Sequence, residues 1–337
     1  MKKVVYVKNV AIGSGKIKLQ SMTNTQTSDV KATLSQILAL KKAGADMVRV
    51  SIPDLDSAMA IKELIKCGVP IIGDIHYSHK AALVAIENGI DKIRINPGNM
   101  SPESIKQVVL ACKERNIPIR VGINKGSVKG KPTPKELAML ALDNAKLIED
   151  IGYDNLVLAV KSSNVEETVR SYRCLANMCN YPLHIGLTEA GTANTGIIKS
   201  AIAIGSLILG GIGDTVRVSL AGDPVREIYA AKKILRACGI DKNYVEVIAC
   251  PTCARTSIEV EEIASRLEEL TKDIEKPIKI AVMGCVVNGI GESKDASFGI
   301  AGGKTKSALF VKGKLVEEIE NEKIFDKLME LVKNCDD

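Results

Sequence analysis

The chain has 337 residues, of which 46% are hydrophobic, so it can form one large domain and one small one. Three Phe, seven Tyr and no Trp are too few aromatic side chains for the stacking surfaces of a single-strand nucleic-acid binder. The net charge of +6, from 46 basic and 40 acidic residues spread along the chain, favours anionic small molecules as ligands and gives no indication of a nucleic-acid partner.

The amino terminus, MKKVVYVKNV, is basic but lacks the apolar core and the cleavage site of a secretory signal. No apolar run reaches the length of a membrane span, so we expect a cytoplasmic protein without a membrane partner. Nine cysteines in a large cytoplasmic chain favour metal binding or catalysis over disulfide bonds.

Eight short runs rich in β-branched residues alternate with helical patterns over residues 1–239. The runs are Ile17–Met22, Met47–Ser51, Ile71–Ile75, Lys92–Ile95, Ile119–Ile123, Leu156–Val160, Leu183–Leu187 and Thr215–Ser219. This alternation predicts a parallel sheet. Eight strands favour closure into a (β/α)₈ barrel, although an open doubly wound sheet shows the same alternation. The stretch Val4–Val7 competes with the first run for the position of strand one.

Capping residues mark where several of the intervening helices begin. Ser28-Asp29 precedes a helix that should end before Gly44. Ser101, Thr133 and Asp223 are each followed by a proline, which predicts that a helix begins at each of these three places.

Polar and charged residues lie at or just beyond the carboxyl ends of the predicted strands, which in a barrel form the catalytic face. They include Arg49, Asp74, His76, Arg94, Arg120, Asn124, Lys161, His184, Glu189, Arg217 and Ser219. Arginine and lysine inside apolar strands need anionic partners, and a guanidinium group matches phosphate oxygens. The pattern therefore predicts a phosphate or diphosphate site on this face.

After Gly239 the pattern changes to that of a compact α+β domain over residues 240–337. Strands are predicted at Tyr244–Ala249, Ile278–Met283, Ser297–Ala301, Leu309–Val311 and Leu315–Glu318, and helices at Ser257–Thr271 and Glu322–Lys333.

Cys250 and Cys253 follow the first strand of this small domain, and Cys285 follows the second. A Cys-x-x-Cys pair is compatible with zinc, a redox dithiol or an iron–sulfur cluster. Structural zinc usually has four closed ligands, whereas three converging cysteines leave one metal position for a weaker ligand. Glu292, in the glycine-rich stretch seven residues past Cys285, is the candidate for that position.

Several motifs together resemble one enzyme family. They are Gln20-Ser-Met-Thr-Asn-Thr25, Val48-Arg-Val-Ser-Ile-Pro53, Asp74-Ile-His76, Ile93-Arg-Ile-Asn-Pro-Gly-Asn99, Thr188-Glu-Ala-Gly191, Gly213-Asp-Thr-Val-Arg-Val-Ser219, Cys250-Pro-Thr-Cys253 and Met283-Gly-Cys-Val-Val-Asn-Gly-Ile-Gly-Glu292. In this order they resemble the bacterial two-domain 4-hydroxy-3-methylbut-2-enyl diphosphate synthases of the non-mevalonate isoprenoid pathway, over essentially the whole chain.

The resemblance implies a TIM barrel for substrate binding at 1–239 and, at 240–337, an iron–sulfur domain similar to those of sulfite and nitrite reductases. It implies reductive deoxygenation and ring opening of 2-C-methyl-D-erythritol 2,4-cyclodiphosphate to 4-hydroxy-3-methylbut-2-enyl diphosphate. The two electrons would come from reduced ferredoxin or flavodoxin. Family members are homodimers in which the cluster domain of one subunit closes over the barrel of the other.

Residue roles carry over by motif. The resemblance implies that Cys250, Cys253, Cys285 and Glu292 bind a [4Fe-4S] cluster and that Asp74, His76 and Glu189 face the reacting carbons. It assigns the diphosphate to Arg49, Arg94, Arg120, Asn124, Lys161 and Ser219. One departure is visible, because Ser162 follows Lys161 where the family pattern has a small residue such as Ala.

Two other functions would use the same elements. One is a non-catalytic iron–sulfur regulator or electron carrier on a barrel scaffold, which would not need a rim of arginines. The other is a pterin-binding barrel similar to dihydropteroate synthase with a structural zinc module, which would be colourless.

Overall fold

A computed structural model describes residues 2–128, 130–287 and 295–335. Glu292 lies outside the described residues. The chain divides into two compact units, Met1–Cys238 and Gly239–Asp337. In the described ranges, no helix combines the length and the apolar character needed to cross a membrane.

The first unit begins with an antiparallel hairpin of β1 (Val5–Val7) and β2 (Val10–Ile12). Its buried side chains pack on Met47, Ile72 and Val157, which lie at or near the first residues of three barrel strands. The hairpin therefore covers the amino-terminal end of the barrel and takes no place in the barrel wall. Of the two candidates for strand one, the run at Ile17–Met22 is the barrel strand.

Eight parallel strands and eight helices follow in alternation. The strands are β3 (Lys18–Met22), β4 (Met47–Ile52), β5 (Ile71–Ile75), β6 (Lys92–Ile95), β7 (Ile119–Asn124), β8 (Leu156–Lys161), β9 (His184–Ile185) and β10 (Thr215–Val216). The helices are α1 (Val30–Ala43), α2 (Leu55–Leu64), α3 (His79–Glu87), α4 (Pro102–Glu114), α5 (Pro134–Glu149), α6 (Val165–Met178), α7 (Ala193–Leu209) and α8 (Val225–Ala237).

The strand order is β8-β7-β6-β5-β4-β3-β10-β9, and a parallel bridge between Leu158 and Leu183 joins the two ends. The predicted barrel is thus confirmed, and the open sheet is excluded. Side chains alternate across the wall: Val48 and Val50 of β4 pack in the core beneath the helices, whereas Arg49 between them faces the interior.

The starts of α1, α4 and α5 follow the predicted caps. Asp29 accepts a hydrogen bond from the amide of Ala32 at the start of α1, and Gly44, at φ 103°, ends it in the left-handed conformation that glycine favours. Thr133 and Glu136 form a capping box at the start of α5. At α8 the prediction was wrong in detail, because Pro224 lies at the N-cap position and the helix begins at Val225, whose amide donates to Asp223.

The second unit is a five-stranded mixed sheet with two described helices. Its elements are β11 (Val245–Ala249), α9 (Val260–Thr271), β12 (Ile278–Met283), β13 (Phe298–Ala301), β14 (Lys306–Val311), β15 (Lys314–Glu320) and α10 (Ile324–Asn334). β11, β12 and β13 pair in parallel, and β13, β14 and β15 pair antiparallel. Its core of aliphatic side chains is separate from that of the barrel.

Candidate active site

The interior of the barrel is lined with cations. Arg49 lies on β4, Arg94 on β6, Arg120 on β7 and Lys161 on β8. All four side chains are at most 9% exposed. Among the described residues their ion pairs lead to a single carboxylate, that of Asp74 on β5, which is 3.7 Å from Arg49 Nε and 3.2 Å from Arg94 Nη1. The interior is therefore a strongly positive pocket.

Asp74 is held in its ionised form by these neighbours. Burial alone would raise the pKa of Asp74, but Arg49, a hydrogen bond from His76, Arg94 and Arg120 together hold it below its usual range. Since the carboxylate stays charged, it can orient Arg49 and Arg94 but cannot donate a proton.

The arginines are short of acceptors. Within the part of the chain that the structure describes, the buried nitrogen atoms without a hydrogen-bond partner include Nε of Arg94 and both Nε and Nη1 of Arg120. Burial lowers the pKa of Arg120, and Arg49 and Arg94 lower it further. Unpaired buried donors of this kind are costly unless a ligand supplies acceptor oxygens.

Lys161 is positioned by a buried histidine. His184 on β9 is fully buried, and its Nε2 lies 3.3 Å from Lys161 Nζ while its Nδ1 lies 2.7 Å from Thr215 Oγ1. Burial and then the charge of Lys161 hold the pKa of His184 well below its usual value, so the ring is neutral. The neutral ring uses one nitrogen as donor and the other as acceptor in its contacts with Thr215 and Lys161. His184 is thus a core histidine that orients a site lysine.

The mouth of the barrel holds the other predicted residues. Asn124 ends β7 and, with Glu189, lines a cavity of about 600 Å³ at the carboxyl end of the strands. Glu189 has a φ of 52°, a left-handed conformation that costs a non-glycine residue energy and is typical of functional loops. His76, just after β5, places Nε2 3.3 Å from Asp74. Ser219 lies three residues past the end of β10 and is half-buried.

Ser162 has a structural role in this chain. Its hydroxyl donates to the carboxylate of Glu167 and accepts from the amide of Asn164. The same carboxylate also accepts a hydrogen bond from the side chain of Lys125, which lines the cavity. The departure from the family pattern therefore adds a hydrogen bond beside Lys161 and does not displace that lysine.

Three interior residues were missed by the sequence reasoning. Gly122 is one: a Cβ there would lie 3.2 Å from Arg120 Nη2 and 3.4 Å from Arg94 Nε, so the glycine makes room for both guanidinium groups. Lys92 and Gln20 are fully or almost fully buried with unpaired polar atoms. Lys92 could have been found from strand alternation, because it lies two residues before Arg94 and so on the same face.

The cysteines lie at one end of the second sheet. β11 and β12 are neighbours in register, Ala249 beside Val282, so Cys250 and Cys285 both follow the carboxyl ends of adjacent strands. The amide of Gly284 donates to Cys250 Sγ at 3.1 Å. Cys253 is exposed, and hydrogen bonds from the backbone and side chain of Arg255 lower the pKa of its thiol.

The chemistry of these donors is compatible with an iron–sulfur cluster. Thiolates bind such clusters, and amide hydrogen bonds to sulfur tune them, as the one to Cys250 would. The described residues contain no group of three His, Cys, Asp or Glu side chains placed to hold one metal ion. The structure places Cys250 and Cys285 after adjacent strands, and the binding of one metal group by the three cysteines stays a prediction. The predicted ligand Glu292 falls outside the described residues.

Comparison with known sequences identifies the family. The GcpE TIM-barrel domain matches residues 2–232, and the GcpE protein C-terminal domain matches residues 246–334. The chain belongs to the GcpE family. It is 48% identical over 339 residues to a Clostridium perfringens protein named 4-hydroxy-3-methylbut-2-en-1-yl diphosphate synthase (flavodoxin), covering 98% of this chain and 97% of that protein. A Thermotoga maritima protein of the same name is 48% identical over 332 residues, covering 97% and 96%.

Solved structures share the barrel of this GcpE chain. Dihydropteroate synthase of Xanthomonas albilineans covers 71% of the chain with a TM-score of 0.54 at 13% identity, and 99% of that structure is matched. Type I 3-dehydroquinate dehydratase of Clostridium difficile covers 69% with a TM-score of 0.51 at 15% identity, and 98% of it is matched. Identities this low establish a common fold and give no evidence for a pterin-binding function.

Proposed function

We propose that this protein reductively opens 2-C-methyl-D-erythritol 2,4-cyclodiphosphate to 4-hydroxy-3-methylbut-2-enyl diphosphate in isoprenoid precursor biosynthesis. The observation that carries the proposal is the buried interior of arginines with Asp74 as their shared carboxylate and unpaired guanidinium nitrogens. A diphosphate supplies the acceptor oxygens that these donors lack. The product is the compound in the names of the relatives.

The arginines would act on the phosphate that leaves carbon when the ring opens. Arg49, Arg94 and Arg120 are fixed on rigid strands, with Lys161, Asn124 and Ser219 placed to assist at the strand ends. Donors held in advance at the position where negative charge develops lower the barrier without reorganising during the reaction.

Proton delivery falls to groups other than Asp74. The oxygen that leaves carbon must take up a proton to depart as water, and Asp74 is already ionised. Glu189 at the cavity wall and His76 beside Asp74 are the candidates for the general acid. Asp74 would then contribute to catalysis by orienting His76 and two arginines, without transferring a proton itself.

The second unit would hold a [4Fe-4S] cluster through Cys250, Cys253, Cys285 and Glu292. When bound, the cluster supplies the two electrons of the reaction one at a time. Reduced flavodoxin, which the relatives' names contain, or ferredoxin is the proposed donor. We also propose a homodimer in which the cluster of one chain serves the barrel of the other.

Anaerobic purification and turnover test this function. The protein should be brown, contain about four irons and four sulfides per chain, and convert the cyclodiphosphate with a strong reductant. Cys285→Ser should lose iron and turnover, whereas Cys112→Ser, a buried barrel cysteine, should keep the iron. A colourless protein with one zinc, or a brown one that leaves the cyclodiphosphate unchanged, would contradict the proposal.

The alternative of a non-catalytic iron–sulfur regulator or electron carrier is not favoured. The relatives that match this chain over nearly its full length are named as synthases. An electron carrier would not need several buried basic side chains inside its barrel.

A further inference from the structure

Lys92 is an unpaired lysine in the floor of the barrel interior. It opens β6 two residues before Arg94, so both side chains face inward, with Lys92 roughly 7 Å nearer the amino-terminal end. The residue is 0% exposed, and Nζ has no hydrogen-bond partner among the described residues. An isolated ammonium in such a place is strongly unfavourable.

The interior around Lys92 is mostly cationic. The titratable and charged side chains that face it are Arg49 on β4, Asp74 on β5, Arg94 on β6, Arg120 on β7, Lys161 on β8 and His184 on β9. Asp74 is engaged by Arg49, Arg94 and His76. On β3, Lys18 pairs with Asp46 and Gln20 is uncharged. Nothing described in the floor therefore neutralises an ammonium at this position.

Burial and the charges of Arg120 and Arg49 lower the pKa of Lys92 to about 7. The amine is then mostly neutral at pH 8 in the free barrel. A bound diphosphate brings at least two negative charges into the layer above, and at this separation in a partly buried site their field raises the proton affinity of the amine strongly.

We propose that Lys92 is a positioning residue of the anion site, a neutral amine in the free barrel that takes up one proton from solvent when a diphosphate binds above it. The inference rests on the function proposed above. The unpaired Nζ beneath Arg94 would thereby become an additional cation only in the complex. Substrate binding is then coupled to pH through a residue that never touches the substrate.

Calorimetry of the anaerobic holoenzyme tests the coupling. The cyclodiphosphate is titrated at pH 8 in buffers of different ionisation enthalpy, and the slope gives the protons taken up per ligand bound. Lys161 and His184 can contribute as well, so the readout is the difference between variants. For each ligand bound, wild type should take up close to one proton more than Lys92→Met does. Lys66→Met, a matched change at an exposed lysine, should show the same proton uptake as wild type.

The pH dependence of affinity gives a second comparison. From pH 9 to pH 6 the affinity of wild type should rise about fiftyfold more than that of Lys92→Met, because only wild type has this ammonium to gain. The loss in Lys92→Met should appear in KM with little change in kcat, since Lys92 lies below the reacting carbons.

Thermal unfolding without ligand tests the neutral state directly. Because the amine titrates near 7 when folded and at its ordinary 10.5 when unfolded, wild type is destabilised below pH 7 and recovers as pH rises toward 10.5. Lys92→Met should therefore have a higher Tm than wild type at pH 7, and the gap should close by pH 10.

The outcomes are separable. Equal proton uptake by wild type and Lys92→Met would overturn the inference and leave the proposed function intact. No binding of the cyclodiphosphate by wild type would overturn both. A Tm gap that is absent or does not vary with pH would show that the amine is not held neutral, which also overturns the inference.

Discussion

Arg49, Arg94 and His76 all direct nitrogen atoms at one carboxylate, that of Asp74, over distances of 3.2–3.7 Å. The carboxylate is 2% exposed, so its charge is poorly screened by solvent. It therefore fixes the two arginines in place and reduces the repulsion between them. Among the described residues, removing its charge would leave Arg49 and Arg94 without a carboxylate ion-pair partner.

Asp74→Asn should lower the free energy of unfolding by about 3 kcal/mol or more at pH 7, the usual cost of leaving a buried charge unpaired. The pKa of Asp74 is below its usual value in the folded state, so its contribution is present above about pH 4 and is lost as pH falls further. Differential scanning calorimetry should show a constant deficit in Tm from pH 8 to pH 5. Asp56→Asn, at an exposed helix start, should stay close to wild type, and a deficit that faded between pH 8 and pH 5 would contradict this account of Asp74.

Arg94→Ala should raise the dissociation constant for the cyclodiphosphate by at least tenfold and up to about a hundredfold, because a charge-assisted hydrogen bond contributes about 1.5–3 kcal/mol. The affinity can be measured by calorimetry on the anaerobic protein. Arg170→Ala, which removes an exposed arginine paired with Glu166, is the matched control and should bind normally. Unchanged binding in Arg94→Ala would remove the basis for a diphosphate site inside the barrel.

The loop that carries Cys250 and Cys253 is tied to the end of β12. The amide of Ser257 donates to the carbonyl of Gly284 at 2.9 Å, and the amide of Cys253 donates to Thr256 Oγ1 at 3.1 Å. Gly284 permits this approach, because a Cβ there would lie 2.9 Å from two side-chain atoms of Thr256. The glycine thus holds the two cysteine segments together.

Gly284→Ala should reduce iron bound after anaerobic reconstitution by at least half, because Thr256 and the Cys253 segment must shift away. Iron per chain and the visible absorbance measure the effect. Gly205→Ala is the control: it lies within α7, where a Cβ would meet its nearest neighbour at an ordinary 3.6 Å, and its iron content should match wild type. Full iron loading of Gly284→Ala would show that the loop does not depend on this contact.

The strands differ in how well their sequence specifies them. β5, β6 and β12 have the predicted bounds, because each is a short, largely buried run rich in isoleucine between turn signals. β9 and β10 are two residues each, shorter than the five predicted. Gly186, at φ 151°, directly follows the last residue of β9. Because it has no Cβ, the carbonyl oxygen of Arg217 can lie 2.2 Å from the place that a Cβ would occupy. Such an approach between two strands distant in sequence is not encoded in either run alone.

Mixing two impaired variants, assayed at a substrate concentration far below the dissociation constant of Arg94→Ala, tests whether barrel and cluster are shared between chains. If the cluster of one subunit serves the barrel of the other, chains with Arg94→Ala and chains with Cys285→Ser should complement each other after dissociation and reassembly. With random pairing about half of the dimers are mixed, and each mixed dimer has one site in which an intact barrel meets an intact cluster. About a quarter of wild-type turnover is therefore expected.

Mixing Arg94→Ala with Arg120→Ala is the control, because both changes disable barrels and no pairing restores one. It should give no turnover. An Arg94→Ala and Cys285→Ser mixture that forms mixed dimers but stays inactive would mean that each chain uses its own cluster.

The sequence by itself determined the alternating barrel, the α+β unit after Gly239, most helix caps, the family and the basic character of the strand ends, because each depends on local periodicity or on short motifs. Tertiary structure alone decided which charges meet. Asp74 became the shared partner of Arg49 and Arg94, Gly122 became the space between Arg94 and Arg120, and Lys92 was left unpaired. Those outcomes depend on strand register and on burial, which set the distances and the desolvation that fix every electrostatic energy in the interior.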